Sequence, residues 1–327
     1  MRTDFNSHID SVLTCPVCKK KLEADKSKLF CSNCNLSYQK IDGILDLIPH
    51  GLYESEPYTK YPSKDQLNFL FNRRVFGSLA DSFMHDVFLN QIKNLPKDSI
   101  ILELGCGRGM DSYKLLKDGY HLVVSDVFSE IIKRVKTMLE ETKVSESAYF
   151  CLINAEILPF AENSFDLIYM VSSLHHLKDP SEALFEIQRC LKPKGVFILA
   201  IEPNFLINFI VMKFFKTIRV IKSSFWRIGK KKQTFSDDER PGFSKNEILK
   251  LIQRASLKPV SIKPLWYLNG FIQICFLDLL QNNFYQDRNL QLSKKTEKLF
   301  IKFDNLISKI PFLQKLCWFW TVKAVKD

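Results

Sequence analysis

Residues 99–109 read SIILELGCGRG, a mostly apolar run that passes into three glycines at alternate positions. A short apolar run that ends in glycine suits a strand buried on both faces of a parallel sheet. The glycines let the backbone turn sharply and approach a ligand closely. The pattern then repeats downstream. Residues 110–118 read as a helix, 121–125 (HLVVS) as a second strand, 129–141 as a second helix and 148–153 as a third strand. Residues 165–171 (FDLIYMV) give a fourth strand, 180–191 a helix that stops before Lys192-Pro193-Lys194-Gly195, and 195–201 (GVFILAI) a fifth strand. Alternation at this spacing predicts an α/β fold, a doubly wound, mostly parallel sheet with helices on both faces. Ligands of such sheets bind beyond the carboxyl ends of the strands, where this glycine loop lies.

The loop Glu103-Leu104-Gly105-Cys106-Gly107-Arg108-Gly109 has the form E-x-G-x-G-x-G, unlike the G-x-G-x-x-G of dinucleotide enzymes. Asp126 ends the second strand, the place from which a carboxylate accepts the hydroxyl protons of a ribose. The competing role for Asp126 is a cap on the helix that follows. His175 and His176 come just after the fourth strand. Histidine titrates in the range a general base needs, and a His-His pair in this place also serves as loop packing.

The stretches ILELGCGRG, VVSD, NAEILPFAENSFDLIYMVSSLHHLKDP and ALFEIQRCLKPKGVFILAIEP lie between residues 100 and 203. Together they resemble the class I S-adenosylmethionine-dependent methyltransferases, above all the subgroup of ubiquinone/menaquinone biosynthesis enzymes. The resemblance is specific for fold and cofactor and silent on the acceptor. It implies a Rossmann-like, seven-stranded sheet with an antiparallel last strand, so that 258–268 and 318–325 supply the final two strands. It further implies that Glu103, Gly105 and Gly107 hold the methionine moiety of S-adenosylmethionine, and that Asp126 holds the ribose while Val127 packs on the adenine. The turn Asn154-Ala155-Glu156 would meet the adenine edge, with Asn154 standing where the family usually has Asp. Val171 and Ser172 would lie beneath the methyl donor. A base at His175 or His176 matters where the acceptor is a hydroxyl or an acidic carbon.

Cys15-Pro-Val-Cys18 and Cys31-Ser-Asn-Cys34 form a second signature. Each CxxC makes a tight knuckle that aims two thiolates at one point, and two knuckles supply four sulfur ligands for tetrahedral zinc. A redox pair would need one CxxC beside a βαβ unit. Four cysteines leave no open coordination position, so this zinc is read as structural. The segment looks like the zinc ribbons fused to some methyltransferases, including bacterial ribosomal RNA guanine methyltransferases, in which the ribbon helps to grip RNA. Residues 1–50 carry seven basic and six acidic side chains, less basic than an RNA grip requires.

The chain divides into a zinc ribbon (1–50), a proline-bearing linker (51–63), a methyltransferase core (64–204), a basic apolar insertion (205–232) and a C-terminal completion (233–327), which includes an aromatic-rich helical addition at 269–316. The other five cysteines are scattered singly, which argues for a reducing compartment. No signal-peptide pattern or membrane-spanning run is present, so a cytoplasmic protein is expected. Charge is uneven. Residues 1–204 hold 24 basic and 27 acidic side chains, whereas 205–327 hold 23 and 9. Residues 205–232 alone contain eight Lys or Arg, no acid and many Phe, Ile and Val. That composition suits either an anionic membrane interface on the inner face of the membrane or a lid over a pocket. Three functions follow: methylation of a hydrophobic or lipid-linked small molecule, methylation of an RNA base, and a non-catalytic cofactor-binding domain whose ribbon recruits a partner.

Overall fold

The computed structural model describes residues 2–25, 28–50, 79–211, 213, 240–273 and 292–327. The N-terminal ribbon comprises α1 (Arg2–Val12), β1 (Glu23–Asp25), β2 (Lys28–Cys31), β3 (Leu36–Ile41) and β4 (Ile44–Asp46). Next come α2 (Leu79–Ile92), β5 (Ile100–Leu104), α3 (Met110–Lys117), β6 (His121–Asp126) and α4 (Ser129–Glu141). Then follow β7 (Ala148–Leu152), β8 (Phe165–Val171), α5 (Pro180–Cys190) and β9 (Leu191–Pro203). The chain is completed by α6 (Lys245–Arg254), β10 (Leu257–Leu265), α7 (Lys294–Ile307) and β11 (Phe319–Lys326).

Local chemistry sets these elements. Asp179 caps α5, its carboxylate accepting from the N–H groups of Ser181 and Glu182, with Pro180 in the first turn. Ser244 and Glu247 close a capping box on α6. Along α4 the buried residues Ile131, Ile132, Val135 and Leu139 form one stripe. One apolar layer, which includes Phe88 of α2, Leu115 of α3 and Val135 of α4, covers one face of the sheet. A second, with Ile9 of α1, Leu184 of α5 and Ile248 of α6, covers the other.

The strand order is β1-β2-β3-β4-β7-β6-β5-β8-β9-β11-β10. Strands β7 to β10 of this order are the expected seven, with β11 antiparallel to both neighbours. The sheet nevertheless has eleven strands, not seven, because β4 pairs parallel with β7, Ile44 opposite Phe150. The ribbon is thereby built onto the edge of the same sheet. Its attachment continues at Thr14, whose N–H donates to the Pro159 carbonyl at 2.9 Å, and at Leu47, which donates to Leu152 at 3.0 Å.

Two expected boundaries move by three residues or more. The fifth strand begins at Leu191 rather than 195: Phe165 pairs with Leu191 and Leu167 with Val196, so a bulge absorbs the Lys-Pro-Lys-Gly segment. The sixth ends at Leu265, because Trp266 enters the left-handed region at φ 56°. The order reverses at β5, which lies between β6 and β8, and the glycine loop leaves β5 at that switch point. Leu265 and Pro203 both pair with Phe319, so β9 and β10 end where β11 begins. The chain therefore leaves the sheet after Pro203 and after Leu265 at its ligand end, and re-enters it there at Phe319. Residues 205–211 are helical, with Ile207 and Val211 turned to the core and Phe209 and Ile210 exposed. The linker 51–63, most of the insertion 205–232 and residues 274–291 of the aromatic addition lie outside the described residues. Among the described residues, no helix is long and apolar enough to cross a membrane.

Candidate active site

The glycine loop has the shape its sequence demands. Gly105 sits at φ +75°, and a Cβ there would lie 2.7 Å from Ser173 Oγ. Gly109 sits at φ +69° and would strike Val135 at 2.6 Å. Gly107, at φ +50°, has nothing within 4 Å of that position, so its backbone faces open space at the mouth of the switch point. Both sides of that mouth carry carboxylates. Asp126 accepts from the Phe128 N–H at 3.0 Å and, through its other oxygen, from the Gly107 N–H at 3.3 Å. The N-cap of α4 is Phe128. Asp126 thus ties the strand end to the loop instead of occupying the cap position.

Glu103 is buried at the end of β5 and accepts a hydrogen bond from Ser112 of α3. Burial raises its carboxyl pKa to about 8, and burial raises that of Asp126 to about 6. A third carboxylate lies nearby: both oxygens of Asp111 stand 2.8 Å from His85 Nδ1. Burial opposes protonation of His85, but the charge and hydrogen bond of Asp111, together with the charge of Asp81, outweigh it and raise the pKa. Crowded buried carboxylates of this kind favour an incoming cation, which restores their ionised form. S-adenosylmethionine carries a sulfonium and an ammonium, so the open backbone at Gly107 and the acids around it fit that cofactor.

The remaining candidates line the same end of the sheet. Val127 is half-buried beside Asp126. Asn154 turns its amide oxygen to the Glu156 N–H at 2.9 Å, which fixes the loop, and leaves that oxygen a second lone pair. Ala155 is buried beneath it. Val171 ends β8, and Ser172, at φ 49°, donates its N–H to the Ala200 carbonyl at 2.9 Å. The two histidines differ. His175 Nδ1 lies 2.9 Å from Glu202 Oε1, and the His175 N–H donates to the same oxygen at 2.9 Å. Glu202 is wholly buried near the end of β9, and its second oxygen has no partner among the described residues. His176 is exposed, its ring centroid 3.9 Å from that of His175.

Glu202, Ser112, Ser173 and the His85–Asp111 pair escape the sequence reading. A carboxylate closing the apolar strand GVFILAIE was the available signal for Glu202.

The thiol sulfurs of Cys15, Cys18, Cys31 and Cys34 all lie within 4.8 Å of one another, with Cys18 and Cys31 3.5 Å apart. Tetrahedral zinc with bonds of about 2.3 Å holds its sulfurs about 3.8 Å apart, so the donor set fits a closed structural site. Lys19, at φ 63° in the first knuckle, pairs with Glu186 and donates to the Leu158 carbonyl at 3.1 Å.

Residues 102–199 match the family model described as a methyltransferase domain. This segment is a methyltransferase domain. It contains the glycine loop, Asp126, the Asn154 turn and both histidines. Residues 11–43 match a second family model, the Trm112p-like proteins, and include all four clustered cysteines. The ubiquinone/menaquinone biosynthesis C-methyltransferase UbiE of Rickettsia bellii is 32% identical over 144 residues, 38% of this chain and 57% of that protein. UbiE of Rickettsia prowazekii is 34% identical over 119 residues, 35% of this chain and 47% of its own length. The chain thus spans about half the length of these curated relatives. Among solved structures, the [4+2]-cyclase SpnF aligns with a TM-score of 0.51 at 16% identity, covering 76% of this chain and 81% of its own. A geranyl diphosphate methyltransferase aligns with a TM-score of 0.50 at 13% identity, covering 76% and 78%. At such identities the likeness is one of fold: the methyltransferase domain has the Rossmann-like architecture of the S-adenosylmethionine-dependent enzymes.

Proposed function

We propose that the protein transfers the methyl group of S-adenosylmethionine to a hydrophobic or lipid-linked small molecule of the quinone class, with His175 as the general base. The observation that carries this reading is the His175–Glu202 pair at the same end of the sheet as the glycine loop. Glu202 accepts from Nδ1–H, fixes the imidazole tautomer and leaves Nε2 with its lone pair. A base so held can take a proton from a ring hydroxyl or an acidic ring carbon as the acceptor attacks. The likeness to quinone C-methyltransferases points to the same acceptor class.

Bound at the loop, the cofactor would supply a methyl group already activated by a positively charged sulfur. Glu103, Gly105 and Gly107 would hold its methionine end, Asp126 its ribose, and Val127 with the Asn154-Ala155 turn its adenine. Val171 and Ser172 would form the floor beneath the methyl group. The protein's contribution is alignment, water exclusion and one proton acceptor. An RNA acceptor would ask the ribbon to grip phosphates, yet residues 1–50 are nearly neutral and Lys19 is engaged with Glu186.

The test is transfer of labelled methyl groups from S-adenosylmethionine into a membrane lipid extract and, separately, into total RNA. Label should enter the lipid fraction. His175→Ala should lower that turnover at least about 100-fold, the scale of general-base catalysis, with S-adenosylhomocysteine affinity nearly unchanged by calorimetry. Glu202→Gln should lower turnover less. Label confined to RNA would replace the proposed acceptor, and full turnover by His175→Ala would remove the proposed base.

A further inference from the structure

α7 is turned the opposite way to an ordinary amphipathic helix. Its two acids face inward. Asp304 is buried and accepts from the backbone N–H groups of Tyr267, Leu268 and Asn269, and from the Asn269 side chain at 2.9 Å. Glu297 is buried and accepts from the Leu79 N–H of α2 at 2.8 Å and from Gln273 at 3.2 Å. Ile301 and Ile307 pack against the core, but with the two carboxylates also committed to the interior the helix turns Leu299, Phe303 and Leu306 to the outside. Leu299, Phe303 and Leu306 are 63%, 48% and 61% exposed, and they follow one another at i, i+4 and i+7. Lys295, Lys298 and Lys302 lie on the same face at helical spacing, and all three are exposed. The turn after the helix continues the pattern with exposed Lys309, Phe312, Lys315 and Leu316. Every exposed charged side chain from 293 to 316 is a lysine.

We infer that this outward face is a docking surface for an anionic lipid bilayer. A row of Leu and Phe edged by lysines places apolar groups at the acyl boundary and cations at the headgroups. Nucleic acid would use the lysines and leave the Leu and Phe side chains in water, whereas a bilayer satisfies both. The location agrees. Asp304 binds the backbone of Tyr267, Leu268 and Asn269 just past the end of β10, so α7 is anchored at the end of the sheet where the site opens. The inference uses described residues outside the 205–232 segment and does not depend on which acceptor is methylated.

The test is flotation of the full-length protein with vesicles of phosphatidylcholine, with and without phosphatidylglycerol. Wild-type protein should float with the anionic vesicles and much less with the neutral ones. Replacing Lys295, Lys298 and Lys302 with Gln should weaken binding by about fivefold per lysine, on the order of 100-fold in all. Replacing Leu299, Phe303 and Leu306 with Gln should abolish the salt-resistant part of the binding, because buried apolar contacts are not screened. Both variants should keep the thermal unfolding temperature and S-adenosylhomocysteine affinity of the wild type, which separates this surface from the active site. Three results would overturn the inference. One is failure of the wild type to bind anionic vesicles. Another is binding unchanged in both α7 variants but lost when Lys230, Lys231 and Lys232 become Gln. The third is a wild-type dimer that the apolar variant splits, which would make the face a contact between two copies of this chain.

Discussion

Burial holds the Glu103 carboxyl at about 8 against an ordinary value of 4.5, and that of Asp126 at about 6 against 3.8. Between pH 4.5 and 8 the native state therefore keeps a proton on Glu103 that the unfolded chain has lost. A raised carboxyl pKa makes native stability fall as pH rises through that window. Glu103→Gln preserves the neutral shape and removes the titration. Its stability relative to wild type should rise by about 1 kcal/mol or more between pH 5 and pH 8, while its affinity for S-adenosylmethionine falls. Thermal unfolding of both proteins across this range checks it. Parallel curves would show that Glu103 is not the responsible group. Glu103 and Asp126 were legible in the sequence because each has a fixed offset from the glycines. Glu202 was not, because its meaning lies in contact with His175, 27 residues earlier in the chain, and that contact exists only once β8 and β9 pair. The His85–Asp111 pair is hidden for the same reason, since α2 carries no motif.

Strands and helices of the body were legible because burial on both faces leaves uninterrupted apolar runs bounded by glycine and proline. The shift at β9 comes from a bulge, which sequence periodicity does not register. α7 shows a deeper limit. Its Leu and Phe spacing alone would place those residues inside, and the backbone N–H groups that Asp304 satisfies decide otherwise. The cysteine knuckles are the opposite case, since two CxxC turns leave little freedom for anything but a common focus. Metal analysis of protein expressed with ample zinc should return close to one equivalent. Less than about a tenth would exclude a structural zinc, given how tightly such sites hold metal.

Across the whole molecule, hydrogen bonds run from β4 to β7, so the ribbon and the methyltransferase domain share one sheet. Lys19 of the ribbon adds a cross-link by donating to the Leu158 carbonyl and pairing with Glu186. Stripping zinc should therefore lower the unfolding temperature of the entire chain by at least about 5 °C and leave a single calorimetric transition. A separate low-temperature step, with the main transition unmoved, would mean that the ribbon melts alone. The same continuity has a consequence during synthesis. Ile44 is translated about a hundred residues before Phe150, its partner in β7. At roughly 5–20 residues per second, β4 waits on the order of 5–20 s beside the ribosome with one side unpaired. An unpaired strand edge is a template for any other extended chain nearby. The interval in which this protein is most open to aggregation thus falls within its own translation, and it closes when β7 emerges.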